Sequence, residues 1–87
     1  MSYRIIFGSS VKKDVRRLPT AVVKIIQEAL RSLQENPFPH HCTFLHGYEK
    51  IYRIRVGQYR IVYEVAVTVR IITIIRIGHR KDVYRTL

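Results

Sequence analysis

The stretch Ile51-Tyr52-Arg53-Ile54-Arg55-Val56-Gly57-Gln58-Tyr59-Arg60-Ile61-Val62-Tyr63-Glu64-Val65-Ala66 decides the fold. On either side of Gly57-Gln58, apolar residues recur at every second position, the period of a strand buried on one face. Glycine followed by one further residue suits a tight hairpin turn. With the turn placed there, Val56 faces Tyr59, Arg55 faces Arg60, Ile54 faces Ile61 and Arg53 faces Val62. Tyr52, Ile54, Val56, Tyr59, Ile61, Tyr63 and Val65 then share an apolar face that should cover helices. Arg53, Arg55, Arg60 and, further along, Glu64 share the other.

Two arginines opposite each other on a ladder destabilise it. At close range the repulsion is about 1 kcal/mol in water and about 4 kcal/mol at an effective dielectric of about 20. Stability alone would not select this arrangement in so small a chain. An incoming phosphate turns the repulsion into charge-assisted hydrogen bonds. The competing reading is a solvated face whose arginines splay apart, with Glu64 neutralising one of them.

Working outward, Val69 to Ile77 reads as a further strand after a short turn near Val67, which completes a three-stranded antiparallel meander. Upstream, Pro37 to about Gly47 reads as a loop holding His40, His41, Cys42 and His46. Those four fit no common zinc spacing, and adjacent ligands chelate one ion poorly. Cys42 has no obvious base partner and reads as a small packed residue. Before the loop, Val23, Ile26, Leu30 and Leu33 recur at helical spacing from about Ala21 to Glu35. Val22, Ile25 and Ala29 widen that stripe, so one side should be buried against the sheet. Pro19 separates this helix from a shorter one, capped by Ser9 or Ser10, in which Val11, Val15 and Leu18 form the apolar edge. Around them crowd Lys12, Lys13, Arg16 and Arg17, and Lys81 adds a cation near the C-terminus. Asp14, Glu28, Glu35 and Glu49 read as solvated. Tyr3 to Phe7 is a first short strand ended by Gly8. The order is β-α-α-β-β-β, an α+β fold expected to form one domain over residues 1–87.

Composition supports this reading. Sixteen Lys and Arg against six Asp and Glu give a formal charge of +10, with arginines outnumbering lysines eleven to five. Such a surface attracts polyanions through counterion release. A guanidinium adds a rigid fork for phosphate oxygens and stacks on bases. Solubility is the plainer explanation of the charge. A lone cysteine, Cys42, rules out an internal disulfide and suits a reducing compartment. The apolar run Ile61 to Ile77 is broken by Glu64, Arg70 and Arg76, so no membrane span is expected, and without a signal-type leader the expected location is cytoplasmic.

After the last strand come Gly78-His79-Arg80-Lys81-Asp82-Val83-Tyr84, in which His79, Arg80 and Tyr84 could project over the sheet. Imidazole suits proton transfer near neutrality, and tyrosine can stack on a base. A frayed basic tail is the alternative.

With Leu45-His46-Gly47, Tyr52 to Tyr63 and Ile77 to Tyr84 in this order after a helical hairpin, the sequence resembles the RelE branch of the RelE/ParE toxin superfamily. The resemblance implies a ribosome-dependent endoribonuclease that cuts messenger RNA in the decoding site, without metal or cofactor. It also implies a cognate RelB-like antitoxin whose acidic helix wraps the basic face. Carried over by position, the catalytic set is Arg53, Arg55, Arg60, Arg80 and Tyr84. Arg60 and Arg80 would bind the scissile phosphate, and Tyr84 would orient a nucleotide. Many relatives place lysines where this chain has Arg53 and Arg55. Arginine stays charged, which makes Arg55 a poor general base. His79, Tyr84 and Glu64 remain as proton-transfer candidates, beside a mechanism resting on electrostatics and positioning. Two other readings stand: a ParE-like toxin that poisons gyrase, and a non-catalytic RNA-binding module of the same fold.

Overall fold

The computed structural model describes residues 2–45, 47 and 50–83. In chain order these form β1 (Arg4–Phe7), α1 (Val11–Arg16), α2 (Thr20–Glu35), β2 (Thr43–Phe44), β3 (Ile51–Val56), β4 (Tyr59–Ala66) and β5 (Ile71–His79). The strands make one sheet in the order β1-β5-β4-β3-β2. β1 runs parallel to β5, and every other pairing is antiparallel. This is the expected α+β fold, with a small strand added at the β3 edge.

The decisive hairpin has the anticipated register, Arg55 opposite Arg60 and Ile54 opposite Ile61. Gly57 stands at φ +59°, the positive value that the first position of a II′ hairpin turn demands. Ile54, Ile61, Tyr63 and Val65 are buried on one face, against Val11, Ile26 and Leu33 of the helices. Tyr52, Val56 and Tyr59 pack around them.

Three expectations about the elements and the helix stripe need correction. The last strand spans Ile71–His79 rather than Val69 to Ile77, because residues 67–70 are used by the turn, with Arg70 at φ 56°. A run of β-branched residues carries no mark of where a turn ends and a strand begins. Two residues of the expected loop, Thr43 and Phe44, pair with Arg53 and Tyr52 as β2. Ile25, assigned to the buried stripe of α2, is 52% exposed.

β5 also carries an irregularity. Val62 pairs with Arg76 but Tyr63 pairs with Ile74, so Ile75 is an extra residue. The bulge lets Ile72, Ile74 and Ile77 all enter one core despite their spacing. β1 covers only Ile71 to Ile74 of β5. Gly8 ends that pairing: its N–H donates to the Ile74 carbonyl at 2.7 Å. A Cβ there would lie 2.9 Å from that oxygen, so the approach demands glycine.

Beyond Gly8 the edge of β5 is taken up by Asp14 of α1. Its carboxylate accepts from Nε and an Nη of Arg76, both at 2.9 Å, and from the Ile77 N–H at 3.0 Å. Asp14 is therefore not solvated: it is buried, and it locks α1 to the sheet.

Candidate nucleic-acid interface

Arg53 and Arg55 leave β3 on the face away from the helices, and Arg60 leaves β4 directly opposite Arg55. The three line one concavity of about 230 Å³, together with His41 and Thr43. Among the described residues that line it, none is acidic. Arg60 is largely buried, and its Nη1 donates to the carbonyls of Tyr59 at 3.0 Å and Gly57 at 3.3 Å. Those bonds fold its guanidinium back toward the hairpin turn. Arg55 is exposed and Arg53 half-buried, so the pocket runs from a fixed inner cation to an outer one.

Its wall comes from the loop before β2. The buried phenol of Tyr63 donates to the Pro37 carbonyl at 2.7 Å, and the Cys42 N–H donates to the Pro39 carbonyl at 2.9 Å. Together with the β2–β3 pairing, these bonds bring His41 and Thr43 beside Arg53. Burial first, and the neighbouring Cys42 second, push the Tyr63 phenol far above the ordinary tyrosine range. The shift favours the neutral phenol, the form that donates to Pro37.

The remaining expected site residues are distributed differently. His79 pairs with Tyr59, its ring 5.7 Å from the tyrosine ring, and it lines a separate recess with Asp14 and Arg17. It is therefore on the helix side of the sheet, away from the arginine pocket. The cause is strand parity: Tyr59 and Arg60 are consecutive and point to opposite faces. Arg80 and Lys81 are exposed in a turn. The Arg80 N–H donates to the Gln58 carbonyl at 2.9 Å, which brings this turn against the hairpin bearing Arg60. In this turn the Val83 N–H donates to the His79 carbonyl at 3.0 Å, and Val83 packs, buried, over Gly78. Tyr84 lies outside the described residues. Glu64 is on the arginine face but four residues along β4 from Arg60, about 13 Å at strand rise. Lys12, Lys13 and Arg16 of α1 and its C-cap Arg17 are exposed, while the apolar side of α1 packs into the opposite face of the sheet. They form a basic surface of their own.

The sequence did not mark Thr43 as part of this site, and it marked His41 only as one of several loop histidines. Their place depends on a two-residue strand, too short for any periodicity to show.

A strand, two helices and then a mixed sheet make up the RelE-like α+β fold. The family model for the ParE toxin of type II toxin–antitoxin systems (parDE) matches residues 5–84. The chain is 32% identical over 88 residues to putative toxin RelE1 of Methanocaldococcus jannaschii, covering 98% of each. To toxin RelE3 of the same organism it is 34% identical over 85 residues, covering 93% of this chain and 94% of that one. The archaeal RelE–RelB complex from Pyrococcus horikoshii OT3 matches 94% of this chain and 99% of its counterpart, with a TM-score of 0.81 at 29% identity. The chain belongs to the ParE toxin family of type II toxin–antitoxin systems, within the RelE/ParE superfamily.

Proposed function

We propose that this toxin is an endoribonuclease that cuts messenger RNA in the ribosomal A site, in the cytoplasm. The observation that carries the reading is the convergence of Arg53, Arg55 and Arg60 on one pocket, in a chain whose named relatives are RelE toxins. In the proposed step the 2′-hydroxyl oxygen attacks the adjacent phosphorus while its proton leaves. The bond from phosphorus to the 5′ oxygen breaks, that oxygen takes up a proton, and a 2′,3′-cyclic phosphate and a 5′-hydroxyl result. Arg60, held by two carbonyls, and Arg55 oppose the charge that builds on the phosphoryl oxygens. Arg53 holds the flanking backbone, and Arg80 reaches the leaving-group side from its turn beside Gln58. Tyr84 follows that turn by sequence and is assigned to stack on a nucleotide. These charges take the part that a metal ion plays in other nucleases, so the reaction calls for none.

Proton transfer is reassigned. His41 is the imidazole that lines the pocket, whereas His79 faces the helices. His41 is therefore the first candidate. Lys12, Lys13, Arg16, Arg17 and Lys81 would hold RNA outside the cleavage site. An acidic RelB-like antitoxin is the proposed inhibitor, on the strength of the +10 charge and of relatives solved as RelE–RelB complexes.

The test is cleavage of a defined message on programmed ribosomes. Arg55→Ala and Arg60→Ala should each slow cutting by about 10²–10³-fold while leaving the fold intact; variants that cut at the parent's rate refute the assignment. The family model's own description favours one other reading, a ParE-like poison of gyrase. A supercoiling assay separates the two, since inhibition of gyrase with intact messenger RNA would select it.

A further inference from the structure

A second cleft adjoins the arginine pocket, and the mechanism above leaves it unused. It has a volume of about 420 Å³ and lies between α2 and β3. That volume falls within the range of about 300–1,000 Å³ typical of ligand clefts. Its floor is apolar, with Leu33 and Ile54 at 1% and 3% exposure and Val56 beside them. Its rim is polar, with Glu28, Ser32 and Asn36 all exposed. His41 and Arg55 line both the cleft and the arginine pocket, so the two hollows share a wall. The passage exists because β2 pairs only with Tyr52 and Arg53. Along Ile54 to Val56 no described strand covers the edge of β3, and the surface turns continuously from the helix side to the arginine side.

We propose that this cleft is a nucleobase subsite that takes the base of a nucleotide whose phosphate lies in the arginine pocket. This rests on the RNA reading of that pocket. A nucleotide is an anion joined to a planar, largely apolar ring with polar edges. The molecule offers the same pair of environments side by side. Leu33, Ile54 and Val56 take the ring face, which gains from leaving water. Ser32 and Glu28 can meet donors and acceptors on the base edge, and the Asn36 amide adds both kinds. Part of Asn36 is already engaged, since its side-chain oxygen accepts from the Phe38 N–H at 3.1 Å. Arg55 at the junction binds phosphate with its fork, or stacks on the ring with its plane. An apolar peptide helix is the poorer occupant, because it would bury Arg55 at one end and Glu28 at the other.

The discriminating experiment compares two probes, a single-stranded pentaribonucleotide and an abasic phosphoribose chain of the same length. Binding is read by fluorescence anisotropy at low salt. Ser32 is exposed on α2, so Ser32→Phe plugs the cleft mouth without touching the core; equal melting temperatures confirm that. The parent should bind the base-bearing strand more tightly than the abasic one. Ser32→Phe should weaken the base-bearing strand about tenfold, the scale of one lost stacked base, and leave the abasic strand within about twofold. Glu28→Gln, which alters only the rim, should change the ranking among A, C, G and U pentamers. Equal affinity of the parent for both probes, or an equal loss of both in Ser32→Phe, overturns the subsite while leaving the arginine pocket in place. If Arg55→Ala and Arg60→Ala bind both probes as the parent does, the pocket reading itself is wrong and the subsite falls with it.

Discussion

Arg76 and Arg60 stand on neighbouring strands of one sheet, and their partners differ in kind. Two nitrogens of Arg76 meet the Asp14 carboxylate, which also takes the Ile77 N–H. Arg60 donates to two main-chain carbonyls and faces Arg55 across the ladder. The first arrangement is closed: opposite charges, good geometry and three hydrogen bonds on one buried carboxylate. In the second, like charges are gathered along a pocket with no acidic described residue in its lining. The same side chain thus serves cohesion through a carboxylate at one site and lines a basic pocket at the other.

The comparison breaks first on activity. Removal of one preorganised electrostatic donor typically costs 10²–10³ in rate. Arg55→Ala should therefore lower single-turnover cleavage by about that factor, while its stability stays level or rises by up to about 1 kcal/mol as the repulsion with Arg60 disappears. Asp14→Ala should do the reverse. It leaves Arg76 and the Ile77 N–H without their acceptor, at a cost on the order of 3 kcal/mol. For a domain of this size that corresponds to a drop in Tm of about 12–24 °C. Cleavage per folded molecule should be unchanged well below the new Tm. A loss of stability in Arg55→Ala, or of intrinsic rate in Asp14→Ala, would dissolve the distinction.

A smaller effect concerns the loop that walls the pocket. Tyr63→Phe leaves the Pro37 carbonyl without its buried donor and should cost about 1–3 kcal/mol. The alkaline behaviour sharpens this. The folded-state pKa of Tyr63 is raised, so its stabilising contribution is complete below the unfolded value of about 10. Above that, the unfolded chain releases a proton that the folded chain retains, and stability falls by about 1.4 kcal/mol per pH unit for this group. Urea titrations between pH 9 and about 11.5 should show the parent losing its advantage over Tyr63→Phe. A gap that stays constant with pH would mean that the phenol is not held neutral.

What could be read in advance follows the same division. Around Gly57-Gln58 the turn residue and the period of two fix the register, and the register alone places Arg55 against Arg60. Parity then decides which residues share a face, and it would have removed His79 from the arginine side had the exact strand pairing been known. It was not, because the isoleucines between Ile71 and Ile77 fall at both odd and even positions, and such a pattern gives no sign of the bulge at Ile75. Asp14 was misjudged for a different reason. Its partner is 62 residues away in sequence, and a carboxylate amid cations on a helix resembles any solvated one. His41 entered the site through a two-residue strand, and no local pattern records such a contact.

The finest contrast is in salt dependence. Each phosphate that a cation neutralises on single-stranded RNA contributes a slope of about −0.7 to the plot of log K against log salt. Arg53, Arg55 and Arg60 line one pocket, so Arg55→Ala should reduce the slope for a short oligoribonucleotide by about 0.7. Arg76→Gln should leave the slope alone, because its charge is spent on Asp14 whether RNA is present or not. Lys12→Ala on α1 should alter the slope only for strands long enough to pass around the sheet from the pocket to the helix surface. A pentamer that senses Lys12 as strongly as Arg55 would mean that RNA binds diffusely across the whole basic surface, and the pocket would lose its claim as the place where the phosphate is held.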